Sequence, residues 1–113
     1  MAEGRVVGID LGTTNSLVAY MQGETPVVIP GVDGSNLVPS VVALDPMPAD
    51  GSRPTVTVGN SARRVLIETP ERVVYSVKRL MGRGLSEVQS ELKYFPFRLA
   101  GDVQEGEVPR IQL

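Results

Sequence analysis

The sequence predicts an α/β chain: an antiparallel β-meander first, then a segment that mixes helices with short strands. Apolar, largely β-branched runs recur at residues 6–9, 17–21 and 25–29, separated only by short polar breaks. Apolar residues at helical spacing follow, at Leu85, Val88 and Leu92. A length of 113 residues with 42% apolar content is enough for one small cored domain.

The elements follow in order. Met1–Gly4 reads as a lead-in. Val6, Val7 and Ile9 suit a buried strand, and the small polar run after Asp10 suits a hairpin tip carrying Gly12, Thr13, Thr14 and Asn15. Gly12 is expected to make the sharp bend through a positive φ. Leu17–Met21 is the return strand, Gln22-Gly23-Glu24 a turn, and Thr25–Ile29 a third strand with Pro26 near its start. Residues 30–36 form a loop rich in Gly and Asx. Pro39-Ser40 leads into a strand over Val41–Leu44. Asp45–Pro54, with three prolines, is an exposed loop. Thr55–Val58 alternates as a half-buried strand.

Asn60 or Ser61 is placed to cap a helix over Ala62–Glu68, with Val65 and Leu66 inward and Arg63 and Arg64 in water. Thr69-Pro70 ends it. Residues 71–77 fit helix or extended chain equally. Gly82 and Gly84 close the next segment. A helix over Leu85–Leu92 takes Ser86 as its cap. Phe97–Leu99 and Val108–Leu113 read as strands around a polar turn at Gly101–Glu107. There is no internal repeat.

Composition removes several kinds of chemistry. Without cysteine there are no disulfides or thiolate metal sites, and without histidine there is no Ser–His or Cys–His nucleophile. No apolar run nears the roughly 20 residues that span a bilayer, and the N-terminus has no signal-peptide pattern. The expectation is a cytoplasmic protein that engages no membrane. Net charge is −2, but residues 1–50 carry −5 and residues 51–113 carry +3. The basic excess gathers at Arg63, Arg64, Arg72, Lys78, Arg79 and Arg83. A net negative chain with five aromatics is a poor nucleic-acid binder, so a solvated face or a phosphate site is the better use of those cations.

The tip at residues 12–15 has the means to hold phosphate. Successive backbone N–H groups in a tight turn make an anion-binding concavity, and two threonine hydroxyls and an asparagine amide add donors. Asp10 repels an anion by itself. It fits beside one if Mg²⁺ lies between, since that ion accepts one or two carboxylates, water and phosphate oxygens. Gly8, on the same strand face as Asp10, leaves room for a ligand. An ordinary polar hairpin tip accounts for these residue types equally well.

Hydrolysis would also need a cation where negative charge develops. The chain has neither G-x-x-x-x-G-K-[ST] nor G-x-G-x-x-G, so a lysine must come from elsewhere. Lys93 sits on the wet side of a helix. Lys78, between Val77 and Leu80, is the candidate.

The run Gly8-Ile9-Asp10-Leu11-Gly12-Thr13-Thr14-Asn15-Ser16 resembles the first phosphate loop of DnaK-type, seventy-kilodalton heat-shock chaperones. Val58–Arg64, Ser76–Arg83, Pro39-Ser40 and Tyr94–Phe97 resemble the same family colinearly. The resemblance implies a ribonuclease-H-like, actin-type ATPase fold. The chain would be an incomplete, N-terminal piece of that nucleotide-binding domain, with residues 1–44 as core sheet and residues 55–113 mostly an appended lobe. It implies ATP/ADP and Mg²⁺ as ligands. Gly12, Thr13, Thr14 and Asn15 match the phosphate loop, and Asp10 the carboxylate that holds Mg²⁺ through water. Lys78 matches the lysine that positions the attacking water, and Arg79 an arginine near the nucleotide. In the full-length family the partners are unfolded client polypeptides, a J-domain co-chaperone and a nucleotide exchange factor.

Asn36 departs from the family's usual arginine, and the loop at 45–54 is longer than usual. Val77–Leu85 and Glu107–Ile111 resemble the iron–sulfur-assembly branch, whose partner is a scaffold protein. A second phosphate loop and an adenosine motif are missing, so this stretch alone is expected to have negligible ATPase activity. Another actin-like ATPase or sugar kinase, or a non-enzymatic interaction module, are the competing readings.

Overall fold

The structure is a computed structural model and describes residues 4–102, 104 and 107–113. Most of the expected lead-in (residues 1–3) and residues 103, 105 and 106 of the expected turn at 101–107 lie outside the described residues.

The chain is mixed α/β with antiparallel sheets. In the first sheet β1 (Val7–Leu11), β2 (Asn15–Gln22) and β3 (Thr25–Ile29) form the expected meander. β1 and β2 pair from Val7↔Tyr20 to Leu11↔Ser16, and β2 and β3 from Val18↔Ile29 to Gln22↔Thr25. Gly23 has a φ of 64° at the first position of the two-residue β2–β3 turn. Glycine with positive φ there is the type II′ pattern, which matches the twist of paired strands. A short β4 (Val38–Pro39) pairs with Asn15 and Ser16 of β2. Since β1 already pairs with Ser16 from one side, β4 runs along the edge that β3 occupies farther up the strand.

The chain then leaves this sheet. β5 (Val41–Leu44) is the centre of a second sheet, between β6 (Val56–Val58) and β7 (Val73–Tyr75). The first sheet is therefore built by residues 7–39, and β5 pairs with later strands. α1 (Asn60–Glu68) covers one face of the second sheet, burying Ala62 against Val41, Ala43 and Val73, with Val65, Leu66 and Tyr75 around them. Val73 is fully buried, a contribution of roughly 1.5–3 kcal/mol for a side chain of this class. The strand period of two turns the next residue, Val74, to the opposite face. There it meets Leu80, Val88 of α2 (Leu85–Leu92), Phe97, Leu99 of β8 (Arg98–Leu99) and Ile111 of β9 (Ile111–Gln112). Phe95 and Phe97 stack in this second cluster with ring centroids 4.9 Å apart. β7 thus joins two small cores.

Residues 71–77, open between helix and strand, divide: Pro70–Arg72 is a 3-10 turn opened by the proline, and Val73–Tyr75 is strand. A second 3-10 turn covers Val77–Arg79.

Three local expectations are corrected. β1 is not buried: Ile9 is 70% exposed, because α1 lies on the second sheet and β1's main neighbour is β2. β6 has the opposite phase to its hydrophobicity. Its register places Thr57 beside buried Ala43, which turns Val56 and Val58 outward. Neither helix is capped by the expected side chain. Gly59, with φ 80°, precedes α1, and the Asn60 amide donates instead to Asp33 Oδ2 at 2.6 Å. Gly84 precedes α2, and its N–H donates to Glu87 Oε2 at 2.8 Å, so Ser86 is not the cap. That bond is the Glu half of a capping box; glycine has no side chain for the other half.

Candidate functional site

The turn between Leu11 and Ser16 is the tip that the sequence indicates, made by Gly12, Thr13, Thr14 and Asn15. Gly12 does not bend it through a positive φ; it is absent from the glycines in that region. The need for glycine is spatial. A Cβ at position 12 would stand 2.1 Å from the Asn15 carbonyl oxygen. The turn is thus drawn in until its own backbone fills the place of a side chain.

One residue ties the turn from behind. Ser40 Oγ donates to the Gly12 carbonyl at 2.8 Å, and Ser40 N–H donates to the Thr14 carbonyl at 2.9 Å. Ser16 Oγ lies 2.8 Å from Ser40 Oγ. Because the Ser40 proton is used on Gly12, Ser16 is the donor in that pair. Ser40 reaches this position because β4 pairs with the first two residues of β2 immediately before it. Among the described residues, the N–H groups of Thr13 and Thr14 have no acceptor, and neither threonine hydroxyl makes a hydrogen bond.

Thr13 and Thr14 open onto a cavity of about 160 Å³, whose other walls are Ser40, Val41, Arg63, Leu66, Tyr75 and Ser76. Ser76 holds a φ of 52°, the only non-glycine with positive φ among the described residues. This left-handed residue turns the chain out of β7 into the 3-10 turn that carries Lys78 and Arg79. The fold therefore brings the tip beside the start of the basic segment, although 60 or more residues separate them in sequence. Lys78 and Arg79 are exposed and do not line the cavity; nor do Asp10, Gly12 and Asn15. Of the two apolar residues that flank Lys78, Leu80 is buried and Val77 is half-buried. Asp10 is exposed on β1 opposite Leu17, two residues before Gly12. A second, roomier cavity of about 490 Å³ has an apolar lining that includes Val77, Leu80, Leu99 and Ile111, and none of the candidate residues.

Sequence reasoning missed Ser40 and Arg63 as neighbours of the tip. The signal for Ser40 was a short polar residue wedged between Pro39 and an apolar strand. Arg63 stands in the basic cluster that the sequence offers to a solvated face or a phosphate site, without a place beside the tip. It is exposed, yet its side of α1 borders Thr13 and Thr14.

Among the described residues no group of three or more acidic side chains is placed to enclose a metal. The donor set fits a hydrated ion shared with phosphate oxygens, which needs a single carboxylate such as Asp10. The free N–H and hydroxyl donors of Thr13 and Thr14 fit the phosphate itself. No helix among the described residues is long and apolar enough to cross a membrane.

A glycine-built turn on a β-hairpin, held against a helix-covered second sheet, is the frame in which comparison with known proteins becomes specific. Residues 6–112 match the family described as Hsp70 protein, and the chain belongs to that family. It is 44% identical to the chaperone protein dnaK3 of Thermosynechococcus vestitus over 96% of its own length. The chain spans 16% of the length of that relative.

Proposed function

We propose that this chain is the ATP-binding segment of an Hsp70-type chaperone, in which ATP hydrolysis drives binding and release of unfolded polypeptides. The observation that carries this reading is the cavity shared by Thr13, Thr14 and Ser76, which sets the phosphate-binding turn against the segment bearing Lys78. The fold assigned is the ribonuclease-H-like, actin-type ATPase class, with residues from about 55 onward mostly in the appended lobe and the 113 residues forming part of one nucleotide-binding domain. Membership of the Hsp70 family supports both.

In this reading Gly12, Thr13, Thr14 and Asn15 hold the β- and γ-phosphates of ATP or ADP through backbone N–H and side-chain donors. Asp10 holds Mg²⁺ through water. The ion, when bound, neutralises phosphate charge. Lys78 orients the attacking water and offsets charge on the terminal phosphoryl group, and Arg79 adds positive potential nearby. The whole protein would work in the cytoplasm with a J-domain co-chaperone and a nucleotide exchange factor. Residues 77–85 and 107–111 favour an iron–sulfur scaffold among its clients. Positioning supplies most of the catalysis in phosphoryl transfer, so residues 1–113 alone should turn over ATP negligibly.

Turnover and calorimetric titration of MgATP and MgADP, on the protein at its full natural length, test this. Lys78→Ala should lower turnover about 100-fold or more while nucleotide affinity changes a few-fold. Thr14→Ala should weaken MgADP binding. Undiminished turnover in Lys78→Ala would overturn the assignment.

A further inference from the structure

We propose that Ser40 is a positioning residue: it clamps the turn at residues 12–15 in the shape that receives phosphate. The proposal rests on the phosphate-binding reading of that turn. Ser40 uses both of its donors on alternate carbonyls of the turn, the hydroxyl on Gly12 and the backbone N–H on Thr14. The residue between them, Thr13, is left with its N–H and hydroxyl unengaged among the described residues. A turn becomes an anion receptor when its carbonyls are turned away from the bound group and its N–H groups are free. Ser40 supplies that arrangement before any ligand arrives. Ser16 completes the device. Its hydroxyl donates to Ser40 Oγ and so fixes the rotor with its proton on Gly12. Ser16 lies on β2 and Ser40 between β4 and β5, so the clamp also ties the first sheet to the second. A turn shaped in advance loses less freedom on binding, which raises affinity without any new contact to the ligand.

Both Ser40 donors are engaged by the turn, so removal of the clamp should act on phosphate groups alone. The test is calorimetric affinity for MgADP and for adenosine, on the protein at its full natural length. It compares wild type with Ser40→Ala, Ser40→Thr, Ser16→Ala and Thr14→Ala. The thermal midpoint is read in parallel. Ser40→Ala should bind MgADP about tenfold more weakly, the worth of one hydrogen bond, and adenosine as wild type does. Ser40→Thr, which keeps the hydroxyl, should recover MgADP affinity to within about threefold. Ser16→Ala should give a smaller loss in the same direction. Equal losses for MgADP and adenosine, tracking a lowered thermal midpoint, would show a merely structural serine and overturn the proposal. Unchanged MgADP affinity in Ser40→Ala with a loss in Thr14→Ala overturns the clamp and leaves the phosphate turn standing. No loss in either variant, or no MgADP binding by wild type, overturns both.

Discussion

The Asn15 carbonyl oxygen occupies the space a side chain at Gly12 would need: an added Cβ would lie 2.1 Å away. The obstruction is backbone, so no rotamer change relieves it. Gly12→Ala should open the turn and cost about 1–3 kcal/mol, the range for forced overpacking. Gly8, two residues before Asp10, is the control. Nothing lies within 4 Å of a Cβ there, and its φ is not positive. Gly8→Ala should be neutral or stabilising by about 0.5–1 kcal/mol, through lower unfolded-state entropy. Urea denaturation of both variants checks the contrast. Equal midpoints would mean that the turn yields more easily than its geometry implies.

The same residue shows how far the sequence could be read. The position of the tip was legible because apolar runs on both sides fixed the hairpin. The reason for glycine was not. It depends on how tightly the turn closes, and Ser40, 28 residues away, pulls on that turn from between β4 and β5. The helices were legible from spacing, but their caps were not. Asn60 is a good cap by type, yet it is itself the first helical residue, behind Gly59, and its amide N–H donates to Asp33, 27 residues earlier. β6 looked half-buried through its valines, and only pairing with Ala43 decides that Thr57 faces inward. Except at α2, whose Gly84–Glu87 bond is local, long-range partners explain these misses. They also explain why the joining of the tip to the basic segment could not be derived from spacing.

The Asp33–Asn60 bond gives an acid-side dependence. The Asn60 amide, followed by the Ser35 N–H, holds the Asp33 carboxyl below its ordinary value of 3.8. A depressed folded pKa favours the native state above the unfolded value. The contribution is therefore present well above pH 3.8 and lost as pH falls through the folded pKa. Asn60→Ala should move the Asp33 titration, followed by carboxyl NMR shifts, upward toward 3.8. Wild-type titration at or above the ordinary value would contradict the bond.

Arg72 anchors the 3-10 turn after α1 to the end of β5. Its Nε donates to the Leu44 carbonyl at 2.8 Å, and Nη2 reaches Asp45 Oδ1 at 3.2 Å. The carbonyl bond should dominate, since Arg72 is 25% and Asp45 54% exposed, and exposed ion pairs contribute little. Arg72→Ala should cost about 1–2 kcal/mol, Asp45→Ala much less. Arg72→Lys should fail to restore the loss, because an ammonium cannot present the planar fork. Chemical denaturation separates the three. A loss in Asp45→Ala equal to that in Arg72→Ala would reverse the ranking.

The exposed face of the first sheet makes a prediction about residues 1–113 studied alone. Ile9 pairs with Val18 and Val18 with Ile29, while Val7 pairs with Tyr20 and Tyr20 with Val27. These six share one face, and Val7, Ile9 and Ile29 are exposed on it. Contiguous apolar surface of this kind drives association when nothing covers it. Sedimentation velocity should show a weight that rises with concentration. Ile9→Lys puts a charge in the centre of the face, and because Ile9 is 70% exposed the ammonium remains in water. That variant should remain monomeric with an unchanged far-ultraviolet circular dichroism spectrum. Association that persists in Ile9→Lys would move the contact to the other uncovered apolar face, formed by Val42, Val56 and Val58 of the second sheet. In that case Val58→Lys, not Ile9→Lys, should be the variant that dissociates the assembly.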